Sequence, residues 1–304
     1  MILSDMRVFY TDIFVLPLPE KHKFPMDKYR LTRERLLRDE ILRPDQLEIP
    51  PAAHETLALV HDQAYLDTII SGQIDARMQR RIGFPWSEGL VERSRRSVGA
   101  TIAALQSALV DGCGINLAGG THHAYADRGE GFCVFNDAAV ASRTLQQTTD
   151  ITNILILDCD VHQGNGTAAI FNNDSTVFTF SIHGASNYPY HKEQSDLDIA
   201  LPNGTNDQAY LDALNRGLIE IETRFSPQAV IYLAGADPFK QDRFGKLGLS
   251  KDGLRLRDAM IFQWCAVRKL PVAVTMAGGY AENIDDIVEI HCETVKQAKL
   301  HYEQ

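Results

Sequence analysis

The sequence predicts an α/β protein built on one open sheet of mainly parallel strands, flanked by helices on both faces. Short apolar runs alternate with amphipathic segments along the chain, as in sheets whose crossover connections are helical. The runs are nearly all apolar, which is typical of parallel strands buried on both faces. No repeat or low-complexity linker interrupts the 304 residues, so we expect a single domain over residues 1–304.

Six apolar runs predict strands and four longer segments predict helices. The predicted strands are residues 7–14, 115–118, 154–157, 176–182, 230–234 and 272–276. The predicted helices, with apolar residues at three- and four-residue spacing, are residues 94–110, 136–147, 207–225 and 250–269. Asp207 and Ser250 have the side chains of N-caps and stand at two of the helix starts.

Polar segments follow five of the predicted strands. They are GGTHHA at 119–124, DCDVHQGNGT at 158–167, His183, GADPF at 235–239 and AGGY at 277–280. Ligands of open α/β sheets bind beyond the carboxyl ends of the strands. The sequence therefore predicts a functional site at that edge of the sheet.

Composition narrows the class of protein. A formal charge of −10 disfavours direct binding to nucleic acid, and no apolar stretch approaches the roughly 20 residues of a membrane span. The N-terminus lacks the pattern of a signal or transit peptide, and the five cysteines include no CxxC pair. We expect a cytoplasmic protein, or a nuclear one if the source is eukaryotic.

A metal site is predicted where two of these segments meet. Asp158, Asp160 and His162 alternate, so they project to one face of an extended chain. Carboxylate and imidazole groups are zinc ligands, and a catalytic zinc needs about three protein ligands beside an open position. Asp237, after the next strongly apolar strand, is the candidate third ligand. The alternative is that each aspartate only caps a helix.

His122, His123 and Tyr280 are candidates for the chemistry at that metal. Imidazole titrates near neutral pH and can exchange protons with water and with a leaving amine. A phenol opposite the metal can donate a hydrogen bond to an oxyanion. The alternatives are a solvent-exposed histidine pair and a tyrosine that only packs.

Together with GFCVFND at 131–137, these motifs resemble the histone deacetylase and acetylpolyamine amidohydrolase superfamily from about Arg7 to about Asn283. The resemblance implies an arginase-like sheet and one zinc ion held by Asp160, His162 and Asp237. It also implies a structural potassium ion. The potassium ligands would be Asp158, the Ser181 hydroxyl, and the backbone carbonyls of Asp160, His162 and Ile182.

The resemblance also assigns catalytic roles. His123 would be the general base and general acid, and His122 its electrostatic partner. Tyr280 would stabilise the oxyanion, and Asp158 would orient His122. The partner of the second histidine is aspartate in class I members but is Asn165 here, which resembles class II and especially the short class IV enzymes.

A substrate tunnel and a product exit are implied as well. The tunnel residues would be Phe132, Tyr188, Phe244, Gly131 and Gly278, and the arginine at the exit would be Arg30. Two departures stand out. Gly83 occupies the position of the rim aspartate that grips a peptide backbone, and Phe244 replaces the acid found in polyamine-specific members.

The sequence thus predicts a zinc-dependent hydrolase that removes acetyl or longer acyl groups from lysine side chains of a protein or peptide. One alternative is an amidohydrolase of small acylated amines such as acetylpolyamines. Another is a non-catalytic reader of acyl-lysine, although a mere binder would not require Tyr280 and the histidine pair. Acyl-chain length, zinc against iron, and oligomeric state stay open.

Overall fold

Within residues 6–303, which the computed structural model describes, eight strands form one sheet and every neighbouring pair is parallel. The fold class is therefore as predicted, and the sheet is wholly parallel rather than mainly so. Its order is β2-β1-β3-β8-β7-β4-β5-β6. The strands are β1 (Arg7–Phe9), β2 (Leu47–Glu48), β3 (Cys113–Asn116), β4 (Ile154–Asp158), β5 (Val177–Gly184), β6 (Leu197–Leu201), β7 (Ala229–Leu233) and β8 (Val272–Thr275).

Nine α-helices connect and cover these strands in the described part of the chain, with short 3-10 turns at Pro44–Gln46 and Glu55–Leu59. No helix among those residues is long and apolar enough to cross a membrane. The helices are α1 (Lys28–Arg38), α2 (Gln63–Ser71), α3 (Ala76–Ile82), α4 (Glu88–Asp111), α5 (Asp137–Thr148), α6 (Asn165–Ile170), α7 (Asp207–Arg224), α8 (Lys251–Val267) and α9 (Ile284–Tyr302).

Strand β4 shows how the sheet is buried on both faces. Leu155 and Leu157 pack in one apolar cluster, which includes side chains of α1, α7, α8 and α9. Ile154 and Ile156 pack in a second cluster, with side chains of α4 and α5. Successive side chains of a strand point to opposite faces, so an all-apolar strand needs a helical layer on each.

Two predicted helix starts had different outcomes. Ser250 caps α8, since its hydroxyl accepts a hydrogen bond from the backbone N–H of Gly253 at 3.0 Å. The prediction for Asp207 was wrong. Asn206 caps α7, and the Asp207 carboxylate instead accepts hydrogen bonds from the backbone and hydroxyl of Ser250 at 2.8 and 2.6 Å. Asp207 thus ties α7 to the start of α8.

Other differences have simple causes. The predicted strand 7–14 ends at Phe9, because the chain then turns, with Phe14 N–H donating to the Thr11 carbonyl at 3.0 Å. The sequence did not reveal β6, a short edge strand whose apolar run is interrupted by Asp198 and which is only partly buried. Helix α4 begins at Glu88, earlier than the predicted residue 94, after its N-cap Ser87.

Candidate active site

The predicted site residues gather at the carboxyl edge of the sheet. Asp158 is the last residue of β4, and Asp160 and His162 follow it. Asp237 follows β7, which pairs directly with β4, and Tyr280 follows β8, which pairs with β7. Adjacent parallel strands end at the same edge, so these segments emerge side by side.

Asp160, His162 and Asp237 form a compact group of potential metal ligands. One ligand atom from each lies within 4.8 Å of the others, and all three side chains are buried. His162 Nδ1 is 2.9 Å from Asp160 Oδ1 and 3.3 Å from Asp237 Oδ2. Two carboxylates and one imidazole are a donor set that suits a zinc ion.

The hydrogen bonds and charges of this group also fit a cation. Asp237 Oδ2 is buried and receives no well-aligned hydrogen bond from any described residue. Burial, followed by the charge of Asp160, raises the pKa of Asp237 to about 7. Burial lowers the pKa of His162, but its hydrogen bond with Asp160 and the charges of both carboxylates outweigh burial and raise it to about 10. The buried carboxylates therefore favour positive charge between them.

Gly278 explains how the backbone approaches these carboxylates so closely. Its N–H donates to Asp160 Oδ2 at 2.7 Å. A Cβ atom at this position would clash with Asp237 Oδ2 and lie 2.6 Å from Asp160 Oδ2. Glycine is thus required behind the ligands. Gly278 also lines the inner cavity beside His162 and Tyr280, and its role as a tunnel residue stays a prediction.

His122 is held by a carboxylate. Its Nδ1 lies 2.6 Å from Asp158 Oδ2, and both side chains are buried. Burial lowers the pKa of His122, but the charges of Asp158 and Asp160 outweigh it and raise the pKa to about 9. This environment favours the imidazolium form of His122, with Asp158 as the balancing carboxylate.

His123 has a neutral partner. Its Nδ1 lies 2.6 Å from Asn165 Oδ1, while Asn165 Nδ2 faces the hydroxyl of Tyr125 at 2.9 Å and Glu130 Oε1 at 3.3 Å. A carboxylate only accepts, so the amide nitrogen faces Glu130 and the amide oxygen accepts from His123 Nδ1–H. Burial and then the charge of His122 lower the pKa of His123 well below its usual 6.5. Neutral His123 therefore has an unprotonated Nε2.

Glu130 is a residue of this network that the sequence did not reveal. It accepts a hydrogen bond from the Tyr188 hydroxyl as well as from Asn165. Its other oxygen is 3.6 Å from Arg81 Nε, and the side chain is only 15% exposed. The Glu130 carboxylate is therefore separated from His123 only by the side-chain amide of Asn165.

Asp137 fixes the loop that carries the histidine pair. Its buried carboxylate accepts from the N–H groups of Gly120 and Thr121 at 2.9 and 2.7 Å and from the Thr121 hydroxyl at 2.6 Å. Gly120 has a φ of 73°, and a Cβ there would clash with Ala277. The glycines therefore let the His122 loop and the Tyr280 loop touch.

Two side chains position Tyr280. Asp242 accepts its backbone N–H at 2.6 Å, and the buried ammonium of Lys28 donates to the carbonyls of Ala277 and Gly279 at 3.1 and 3.4 Å. Burial and then the charge of Asp160 raise the pKa of the Tyr280 phenol well above 10. The phenol therefore stays protonated and can act as a donor.

A cavity of about 420 Å³ leads to these groups. Its inner part is lined by His123, His162 and Tyr280. Gly131, Phe132, Tyr188 and Phe244, all predicted tunnel residues, line the same cavity. Phe132 and Tyr188 have their rings near Tyr280 and His123, with centroids 6.1 and 5.0 Å away.

The structure does not bring Arg30 to the inner cavity. Arg30 is exposed on α1 and pairs with Glu34 and Asp27 at 2.9 and 3.5 Å. The inner cavity behind His122 is lined instead by Arg93, which is 8% exposed and stacks over Tyr29 at 4.7 Å. Arg93 also lines a small outer cavity together with Arg30. Arg93 thus lines both the inner and the outer cavity, whereas Arg30 lines only the outer one.

Three of the predicted potassium ligands lie on the paired strands β4 and β5, and the other two, Asp160 and His162, lie in the loop after β4. Asp158 of β4 is in register with Ser181 of β5, and Ile182 follows. The Ser181 hydroxyl lies 3.0 Å from Nδ1 of His183, which is buried in β5 and does not join the ligand triad. Potassium binding stays a prediction.

Comparison with known proteins agrees with this geometry. The model of the histone deacetylase domain matches residues 22–295. An uncharacterized protein of Picosynechococcus sp. is 45% identical over 93% of this chain and 95% of its own, and histone deacetylase 2 of Arabidopsis thaliana is 28% identical over 98% and 80%. The crystal structure of an HDAC homolog from Aquifex aeolicus has a TM-score of 0.83 at 21% identity, covering 98% of this chain and 88% of that one.

Proposed function

The chain belongs to the histone deacetylase family of hydrolases, and we propose that it is a zinc-dependent enzyme that removes acetyl or longer acyl groups from lysine side chains. One observation carries the proposal. The ligand group Asp160, His162 and Asp237, neutral His123 and the donor Tyr280 meet at the inner end of one partly aromatic cavity. A narrow apolar passage with polar groups at its end suits a methylene stem that carries an amide.

The protein's own groups account for the proton transfers. A zinc ion held by Asp160, His162 and Asp237 would polarise the amide carbonyl and make water more acidic. His123 Nε2 accepts a proton from the attacking water, and the Tyr280 hydroxyl donates to the developing oxyanion. His123 then returns its proton to the leaving lysine amine. The His122 imidazolium, held by Asp158, adds positive charge beside the reacting atoms.

The finer assignments have separate support. Asn165 as the partner of His123 supports a class IV-like enzyme. The register of Asp158 with Ser181 supports the structural potassium ion. The shared lining by Arg93 and Arg30 supports an exit for the short carboxylate product on the α1 side.

Removing the metal tests the proposal directly. We expect turnover of acetyl-lysine and longer acyl-lysine peptides to fall at least about 100-fold after chelation and to return with zinc, because the metal provides most of the electrophilic activation. At free zinc 1,000-fold above Kd, unfolding should cost about 4 kcal/mol more than in the metal-free protein. Peptide turnover and thermal unfolding measure the two effects.

The matched variants for this test are Asp237→Asn and Asp252→Asn. The first removes a ligand charge and should abolish the zinc-dependent rise in unfolding temperature. The second changes the Asp252 side chain on α8, which is 85% exposed, and should leave the zinc-dependent rise in unfolding temperature intact. Full turnover by protein shown to be metal-free would contradict the proposal. Turnover after reconstitution with iron(II), compared with turnover after reconstitution with zinc, tests the other candidate metal.

Adding acetylpolyamines to the same panel of acyl-lysine peptides separates the alternatives. Faster cleavage of acetylpolyamines than of any acyl-lysine peptide would favour an amidohydrolase of small acylated amines. Tight binding of acyl-lysine peptides without detectable hydrolysis would favour a reader.

The network behind His123 gives a charge-swap prediction. Glu130→Gln should lower kcat about tenfold, because His123 loses the nearby negative charge that stabilises its protonated form. Asn165→Asp should also lower kcat, because it places a second carboxylate 3.3 Å from Glu130. The double variant should recover most of the activity, since one carboxylate then faces His123 directly.

Steady-state kinetics of the four proteins checks this cycle. A structural role for either side chain predicts that the losses add, so additive losses would contradict the stabilisation of protonated His123 by a nearby carboxylate. Glutamine at position 130 still offers an acceptor to Tyr188, which keeps the variants comparable.

A further inference from the structure

The outer part of the 420 Å³ cavity has an excess of positive charge. Arg81, Arg243 and Lys246 line it, and its lining in the described structure includes no aspartate or glutamate. This contrasts with the whole chain, whose formal charge is −10. We call these three residues the basic mouth.

Two of the three charges are uncompensated. Arg243 Nε donates to the Tyr280 carbonyl at 3.0 Å, and Lys246 Nζ donates to the Ser186 carbonyl at 3.0 Å. Within residues 6–303 both head groups bond to backbone carbonyls, and neither forms an ion pair with a carboxylate. Arg81 differs, because Glu130 lies 3.6 Å from it.

A side chain at position 83, where Gly83 replaces the rim aspartate, would be strained. Gly83 ends α3 with a φ of 85°, and a Cβ there would lie 2.8 Å from the ring of Phe132. Among residues 6–303 the cavity lining thus offers no carboxylate to attract a cationic substrate or to accept peptide N–H groups, and nearby Glu130 is already bonded to Tyr188, Asn165 and Arg81. The charged groups of the lining are donors only.

We propose that the basic mouth binds a carboxylate on the acylated substrate, beside the lysine whose acyl group enters the tunnel. The matching substrates are Nε-acyl-lysine with a free α-carboxylate, alone or at a peptide C-terminus, and acyl-lysine next to an acidic residue. This inference rests on the proposed function and specifies its substrate class. Arginine and lysine in a partly enclosed cleft favour carboxylates through charge-assisted hydrogen bonds and a focused field.

Arg243 lies close enough to act on such a group. Its guanidinium is attached to the Tyr280 loop by the hydrogen bond to the Tyr280 carbonyl. It lines the same cavity as the Tyr280 ring, so a substrate whose amide lies beside Tyr280 places its other groups in a cavity that Arg243 lines. The same charges repel polyamines, whose distal ammonium would enter the basic mouth.

Paired peptides test the proposal. They end in acetyl-lysine as a free carboxylate or as an amide, and a second pair has acetyl-lysine followed by glutamate or glutamine. We expect kcat/KM about tenfold higher for the anionic member, which corresponds to about 1.4 kcal/mol. The two pairs, with free Nε-acetyl-lysine as a third arm, distinguish an α-carboxylate from a side-chain carboxylate.

The combined variant Arg243→Gln/Lys246→Gln should reduce the preference to below about twofold, and Lys246→Gln alone should reduce it partly. Rates on the amide peptide report any damage to Tyr280. Lys296→Gln on α9, outside the cavity lining, removes one positive charge and should leave the preference unchanged. Equal kcat/KM for both members of each pair in the wild-type protein would overturn the proposal.

A binding measurement separates this inference from the proposed function. The same labelled peptides are titrated into the His123→Ala variant and followed by fluorescence polarisation. Preference for the anionic peptide without turnover by the wild-type protein would remove the proposed hydrolysis and keep the basic mouth. Turnover without that preference would do the reverse.

Discussion

Replacement of His123 with alanine is expected to lower kcat for acyl-lysine peptides by about 10²- to 10⁴-fold. The low pKa of His123 keeps the imidazole neutral, and its Nδ1–H is committed to Asn165 at 2.6 Å. Nε2 is therefore the available proton acceptor, and the same atom carries the proton that the amine needs. Alanine removes both transfers at once.

Fixed-time peptide-deacylation assays with the purified variant measure the loss of kcat. The amount of bound zinc per chain shows whether the metal site is intact. His123 is not one of the three ligands, so zinc content should stay at the wild-type level. His54→Ala, an exposed histidine before Glu55–Leu59, is the matched control and should change kcat less than twofold. A wild-type turnover rate in His123→Ala would contradict the role of His123 as general base and general acid.

The sequence predicted the sheet and the ligand triad because both depend on short patterns. All six predicted strands correspond to observed ones, since buried parallel strands are continuous apolar runs. Asp160 and His162 are separated by one residue, and Asp237 follows the adjacent strand. Strand ends alone therefore brought these three residues together.

The supporting residues could not be predicted in this way. Lys28 reaches the Tyr280 loop from 249 residues away, and Glu130 reaches Asn165 from 35. Neither has a motif that signals its partner, because such contacts are created by the packing of α1 and of the loop before α5. Asp137 is different, since it lies in GFCVFND and follows the N-cap Asn136, which is a weak local signal.

The basic residues show the same limit. Arg30 and Arg93 are both on helices, and only the packing of α1 and α4 shows that Arg93 is buried while Arg30 is exposed. The sequence shows that Gly83 replaces the rim aspartate, but only the structure shows that its φ of 85° beside Phe132 would strain a larger residue.

Tyr280→Phe is expected to lower kcat by about 10²- to 10³-fold with little change in KM, because the hydroxyl acts on charge that develops only in the transition state. The ring itself should stay in place. It packs against Phe244 and Phe24 with centroids 5.0 and 5.9 Å away, and Lys28 Nζ lies 5.3 Å from its centroid. Phenylalanine keeps these contacts, so the unfolding temperature should change little.

The control tyrosine is Tyr302, the last residue of α9. Its hydroxyl donates to the Leu270 carbonyl. Tyr302→Phe also loses one hydrogen-bonded hydroxyl, but it lies outside the cavity, so its kcat should match the wild type. A KM increase in Tyr280→Phe with unchanged kcat would mean that the phenol only binds the substrate amide. A kcat loss with unchanged KM would instead place its hydrogen bond in the transition state, where a buried phenol that stays protonated is an effective donor.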